Sequence, residues 1–292
     1  MDSTFVSTKK CLICKGGKKN DCLHWHNPDD GDIWVYCVGK CSRAYSIYQY
    51  CTLAGLSLKE FLTLDFEFEE ARPNEVQKMD WPKSFLPMFD KRSAAGVEYL
   101  KSRGLEVDDA MFYDISRKGI VFPYYYYGVF TGAQIRFLEP WTDTDGNSHK
   151  ITTLPGTRLG LLWYNWDGMP FRTKVKALVV CEGALNACSL QQALNKEFGV
   201  LTNPFKVVSC SGSGISKHHI ETMSELKSEG VKVIAALDCD TAGIKGLKKM
   251  VDNQCITHYA ITGDTELDWN NLVQQLGAEQ LATFFLEAVK QI

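Results

Sequence analysis

From Lys176 onward the chain alternates between short apolar runs and helical stretches, and this alternation restricts the fold more than any other feature. Strand-length apolar runs occupy 177–181, 206–210, 231–237 and 256–261. Helical patterns fall between and after them, at about 184–198, 215–229, 242–252 and 278–290. Strands separated by helices pair in parallel, because a tight hairpin can join only antiparallel neighbours. The C-terminal part is therefore expected to be an α/β layer, a parallel sheet flanked by helices.

The carboxyl ends of these strands are acidic. The run ending in LDCDTAG carries Asp238 and Asp240, and residues two apart on a strand project to the same side. Two ionised carboxylates so placed repel unless a proton is shared or a divalent cation lies between them. The strand ALVVC ends at Glu182-Gly183, and a third acidic stretch, 263–271, contains Asp268. Open parallel sheets bind ligands at these strand ends. The gathered acids predict a magnesium or manganese site for phosphoryl chemistry, with Glu182, Asp238 and Asp240 at its centre. Two ions about 4 Å apart, held by such acids, activate an attacking hydroxyl and stabilise a leaving group. Taken singly, each acid also suits a helix N-cap or a solvated loop.

Six of the eleven cysteines fall in the first 51 residues. Cys11 and Cys14 form one close pair and Cys37 and Cys41 another, with 22 residues between the pairs. Four thiolates from two knuckles match one structural zinc ion, which replaces a hydrophobic core in so short a module. Cys22, His24 and His26 lie between the pairs and leave the ligand set open: the favoured reading makes them small apolar or hydrogen-bonded residues, and the alternative brings His24 or His26 to the zinc. Lysines 9, 10, 15, 18 and 19 interleave with Trp25, Trp34, Tyr36 and Tyr45, a mixture suited to single-stranded nucleic acid or to a packed ribbon with a solvated face. Residues 60–80 hold seven acids against two basic residues and read as a linker, with one short helix at 57–64. The resulting division is a zinc-binding ribbon at 1–55, an acidic linker at 56–85, a mixed α+β basic subdomain at 86–174 and the parallel-sheet domain with C-terminal helices at 175–292. In the third of these, a helix begins at Ser93 and stops at Gly104, and strand-like runs follow at 120–127 and 134–138.

A formal charge of −3 gives no whole-chain attraction to nucleic acid, so local basic patches must supply it. There is no run of 18 apolar residues and no signal-peptide order at the N-terminus, which predicts a cytoplasmic protein without membrane contact. In that compartment the cysteines read as metal ligands and buried thiols.

Strand-EG, strand-DxDxxG and DWNN, in this order over 176–275, resemble the TOPRIM domain of bacterial primases, topoisomerases and some nucleases. VVSCSGSG at 207–214 resembles the middle strand and loop of that fold. Upstream, AGVEYLKSRGLEVDDAMFYDI is similar to the helical opening of the polymerase domain of bacterial replicative primases. GIVFPYYYYGVFTGAQIRF and KITTLPGT resemble their strand-rich basic segment. With the cysteine ribbon, the resemblance to bacterial and bacteriophage-type DNA primases covers nearly the whole chain. It implies template-directed synthesis of short RNA primers from ribonucleoside triphosphates on single-stranded DNA. Glu182, Asp238 and Asp240 then match the catalytic and metal-binding acids, and Asp268 a later metal-reaching acid. Arg136 and Lys150 match residues that hold template or nucleotide, and Arg158 and Lys245 join them as basic candidates; Lys248 and Lys249 lie on the same helix as Lys245. The ribbon corresponds to the part that reads the template. With no nucleotide-binding P-loop in the sequence, the chain resembles compact primases of bacteriophages or mobile elements, which implies a separate replicative helicase and, for a bacteriophage gene, the cytoplasm of the bacterial host.

One departure stands at the core of the pattern. The family's first acidic motif continues E-G-x-x-D, and here the last position is Asn186. The missing charge supports an alternative, a catalytically weak or inactive relative that binds DNA or a helicase. A TOPRIM nuclease, in which the same acids activate water, is a third reading, and the strand-rich basic segment argues against it.

Overall fold

The structure, a computed structural model, describes residues 6–8, 13, 22–26, 33–37, 43–55, 57, 76–108, 110–142, 146, 148–166, 175–212 and 214–292. The chain divides into two compact units, Met1–Glu75 with Pro170–Thr173, and Val76–Met169 with Lys174–Ile292.

In the first unit, β1 (Val6–Thr8), β2 (Cys22–His26), β3 (Ile33–Cys37) and β4 (Arg43–Ser46) form an antiparallel sheet in chain order. β4 runs directly into α1 (Ile47–Ala54), where Tyr50 and Cys51 are buried. Cys37 sits on β3 opposite Cys22 and Arg43. Cys11, Cys14 and Cys41 lie outside the described residues, as do the side chain of Cys37 and the expected helix at 57–64 beyond Ser57.

The second unit holds two sheets. Antiparallel strands β5 (Phe85–Pro87), β6 (Phe112–Asp114), β7 (Gly119–Tyr126), β8 (Val129–Thr142) and β9 (Ser148–Thr153) follow one another in chain order. α2 (Ala94–Ser102) lies between β5 and β6, and Gly104 follows it at φ 72°, the left-handed conformation that ends helices. Both faces of β7 are buried. Ile120, Phe122 and Tyr124 enter the main core, whereas Val121 packs with Phe85, Phe130, Ala133, Ile135 and Leu154 in a smaller one. The β5 and β6 strands were not expected from sequence, being three residues each and too short to show a period of two.

The other sheet has the order β11 (Phe205–Ser209), β10 (Ala177–Cys181), β12 (Lys232–Ala236), β13 (His258–Tyr259) and β14 (Lys290–Gln291). The first four are parallel, and β14 returns antiparallel on β13. Helices α3 (Ala184–Phe198), α4 (Lys217–Ser228) and α5 (Thr241–Asp252) make the crossovers, followed by α6 (Trp269–Leu276) and α7 (Ala278–Ala288). This is the expected α/β layer, with β10 and α3 at their expected bounds. The addition is α6, which starts at the end of the acidic stretch 263–271 and whose apolar residues Trp269, Leu272, Val273 and Leu276 keep a helical period.

Because β10 lies between β11 and β12, the chain leaves it to one side, then returns to the other. The crevice at the carboxyl ends of β10 and β12 is thus a topological switch point, where open α/β sheets receive ligands. One core spans both sheets, from Ile120 and Phe122 to Val179, Leu190, Trp269 and Phe285. Polar ties add to it. Gln192 of α3 exchanges hydrogen bonds with both backbone groups of Glu106, at 2.9 and 2.7 Å.

Candidate active site

The parallel register pairs Cys181 with Ala236, so Glu182 and Asp238 emerge together, one residue out of step, at the switch point. The main chain of Glu182 is fixed, its carbonyl accepting from Ser209 Oγ at 2.8 Å and from the Gly212 N–H at 3.1 Å. Its side chain is not: Oε2 is buried and meets no donor. Burial, then the charge of Asp240, raises the Glu182 carboxyl above the usual range. Asp238, half-buried, is pushed up to about 7 by burial and then by Glu182, Asp268 and Asp240, in that order. A hydrogen bond from Asn186 works the other way.

Asn186 stands in the first turn of α3, 4% exposed, and faces two ways. Its Nδ2 donates to Asp238 Oδ1 at 2.8 Å, and its Oδ1 accepts the Asn270 N–H, an orphan donor of the first turn of α6, at 3.1 Å. An aspartate here could accept from Asn270 but could not donate to Asp238. Asn270, fully buried, extends the chain of contacts to Ser189 Oγ and the Arg103 carbonyl, both at 2.9 Å. Read from sequence, Asn186 is a lost charge; in the structure it is the group that holds Asp238.

Asp240 and Asp268 are N-caps. Asp240 Oδ1 accepts from the Gly243 N–H at 2.8 Å, and Asp268 Oδ1 from the Asn271 N–H at 2.6 Å. Gly243 is required by close approach, since a Cβ there would lie 2.0 Å from the Asp238 carbonyl oxygen. Trp269, fully buried, ties α6 to the end of β12 by donating Nε1–H to the Ala236 carbonyl at 3.0 Å.

The basic candidates do not all share this edge. Arg136 is opposite Ile151 and half-buried, with Nε donating to Tyr99 Oη at 2.8 Å. Gln134, two residues earlier and so on the same face, donates Nε2–H to the Ser211 carbonyl at 2.9 Å. That bond ties the Arg136 face to the loop that fixes Glu182. Lys150 is next to Ile151 on β9, and strand alternation puts it on the opposite face from Arg136. Arg158 is exposed just before a short 3₁₀ turn, and Lys245 is exposed on α5. Lys248 pairs with Asp252 at 3.3 Å, while Lys249 donates to the Ile215 carbonyl at 2.6 Å and so has a structural partner. Sequence reasoning passed over Gln134, Ser211 and Asn270. Two left a trace, Asn270 in DWNN and Ser211 in the VVSCSGSG loop, where it adopts φ 61°.

Among the described residues, no group of three or more His, Cys, Asp or Glu side chains is close enough together to hold a metal ion. The reason is visible in the caps, because Asp240 and Asp268 are turned onto helix N–H groups. Glu182 and Asp238 nonetheless fit a divalent cation. They are hard oxygen donors, one has an orphaned buried oxygen, and both are raised by burial and then by neighbouring negative charge, which a cation would offset.

Residues 177–261, which carry Glu182, Asp238 and Asp240, match the family model of the Toprim domain. The surrounding fold is more particular. The RNA polymerase domain of Mycobacterium tuberculosis primase DnaG, solved with a double-stranded DNA oligomer bearing a 6-nucleotide overhang, aligns with 70% of this chain and 76% of its own, at 16% identity and a TM-score of 0.51. A DnaG catalytic core aligns over the same shares, at 17% identity and a TM-score of 0.50. The second unit thus has the fold of a primase catalytic core. No curated protein matches the chain in sequence.

Proposed function

We propose that this chain is a DNA primase, a nucleotidyltransferase that joins ribonucleoside triphosphates into short RNA primers on single-stranded DNA. The observation that carries the reading is the pairing of Glu182, with its orphaned oxygen, and Asp238, raised to about 7, at the switch point of a Toprim sheet. Bound there, magnesium or manganese would supply electrostatic stabilisation of the transferring phosphoryl group. Glu182 and Asp238 would hold it, with Asp240 and Asp268 joining after release from their caps. Asn186 keeps Asp238 aimed at the crevice, and the raised Glu182 carboxyl is suited to taking a proton from an attacking hydroxyl. Arg136, on the sheet face tied to Ser211, supports the template or the nucleotide through phosphate contacts, with Lys150, Arg158 and Lys245 as further basic contacts.

The first unit would hold one structural zinc ion through Cys11, Cys14, Cys37 and Cys41 and read the template. The spacing of the two pairs supports this, and metal analysis of purified protein tests it, with one zinc per chain expected. A helicase in a bacterial cytoplasm is the further partner implied. No helix among the described residues is long and apolar enough to cross a membrane.

The test is a survey of single-stranded templates for metal-dependent oligoribonucleotide synthesis. Asp238→Ala and Asp240→Ala are expected to lower synthesis by at least about 10²-fold with zinc content unchanged. No synthesis on any template would overturn the reading. One observation favours a second reading, a DNA-binding relative without catalysis: Asn186 offers Asp238 a neutral partner in place of a charge. Calorimetry separates the two, because absence of magnesium and manganese binding supports only the second.

A further inference from the structure

The β8–β9 ribbon carries an aromatic pair with no part in the chemistry above. Trp141 and His149 are cross-strand partners, and their rings stack with centroids 4.4 Å and planes 21° apart. Trp141 is still 49% exposed, so one face of its indole is backed by the imidazole and the other meets solvent. Partners across a ladder project to the same side, and alternation along β9 carries that side from His149 through Ile151, itself 42% exposed, to Thr153. Opposite Ile151 and Thr153 are Arg136 and Gln134. Gln134 reaches the Ser211 carbonyl, on the loop whose Gly212 N–H and neighbouring Ser209 hold the Glu182 carbonyl. One sheet face therefore runs from the acidic edge to the ring pair. The four steps of β9 from His149 to Thr153, at ~3.3 Å each, make it about 13 Å long.

We propose that Trp141, backed by His149, is a stacking platform for a base of a single-stranded nucleic acid lying along this face. That the strand leads toward the acids rests on the primase reading; the platform itself does not. An indole already held by a second ring loses little freedom when a base covers its open face, and every base offers a π surface. Charge does not select this ribbon. Lys150 is exposed beside the pair, but Glu139 is exposed on β8, and the turn sequence contains Asp143 and Asp145. Affinity at the tip comes from stacking, so it falls less with salt than phosphate binding does.

The competing role is a cross-strand pair that only steadies the ribbon. Leucine at 141 keeps a cross-strand apolar contact but has no ring, whereas phenylalanine keeps both. Binding of a fluorescent single-stranded oligonucleotide to the full chain separates these roles when Trp141→Leu and Trp141→Phe are compared with wild type and thermal stability is followed alongside. Trp141→Leu is expected to weaken binding roughly 5- to 150-fold and Trp141→Phe to retain most of it. Equal binding by wild type and Trp141→Leu overturns the platform, as does absence of oligonucleotide binding by wild type. The template survey on wild type reads the other question. Priming with unchanged Trp141→Leu binding removes the platform and leaves the primase reading, and the opposite pair of results does the reverse.

Discussion

The two sheets of the second unit bury their residues differently, and their contributions to a site differ for that reason. The parallel sheet is buried on both faces, with Leu178, Val179 and Val180 fully inaccessible, and presents polar chemistry only at one rim. Asp240 and Asp268 are held by helix starts and Asp238 by Asn186, whereas the Glu182 side chain meets no donor at Oε2. The antiparallel sheet shares the main core along β7 but lets β8 and β9 run outward, so its polar and aromatic residues spread along a face. A rim concentrates charge, whereas a ribbon offers length. The first arrangement suits a reacting centre, the second an extended ligand.

The sharpest way to break this comparison is to remove one anchor from each sheet. Trp269→Ala deletes a fully buried ring and its bond to Ala236, and a loss of about 3–5 kcal/mol is expected in urea denaturation. Trp81, which packs its edge on Phe85, Phe112 and Phe130 while 37% exposed, should cost less on Trp81→Ala, about 1–2 kcal/mol. Equal losses would mean that the two sheets are equally critical to the fold.

A smaller effect concerns the rim itself. The Asp238 carboxyl, ordinarily near 3.8, is raised to about 7 on folding. Its contribution to stability is therefore full below pH 4 and lost as the pH rises through 7. Without divalent cations, Asp238→Asn should be more stable than wild type at pH 8, by about 1–3 kcal/mol after allowance for solvent, with no difference below pH 4. A gap that does not change with pH would mean that the Asp238 carboxyl is not raised on folding.

The smallest effect is expected away from the rim. His219 at the start of α4 is buried between Ser216, Leu162 and Trp163, and burial lowers it from 6.5 to about 4. A neutral imidazole stabilises the fold above pH 6.5, and that stabilisation is lost as the pH falls toward 4. His258, also lowered by burial, adds to the same limb. Melting temperatures measured from pH 7.5 to 5 should therefore decline, and His219→Gln should flatten most of the decline.

Much of the parallel sheet was legible because apolar runs and helical periods differ in spacing, and β10 and α3 lie at their expected bounds. The acids were legible as residues at strand ends. Their division of labour was not, because capping by Asp240 and Asp268 depends on where each helix begins. The part that Asn186 plays was hidden for a related reason. A pattern of acids counts charges, but the structure needs a donor toward Asp238 and an acceptor for Asn270 in one side chain. Arg136 and Lys150 were grouped by chemistry, although the register of β9 sends them to opposite faces. The ring pair on the ribbon was invisible because Trp141 and His149 meet only through that same register.

Gly243 has no reactive group, yet the peptide of Asp238 fills the space where its side chain would begin. The geometry of the rim leaves no room for a side chain at this position. A descendant could keep all four carboxylates and still lose the rim through one added methyl group, so an intact set of acids in a related chain would not guarantee an intact site.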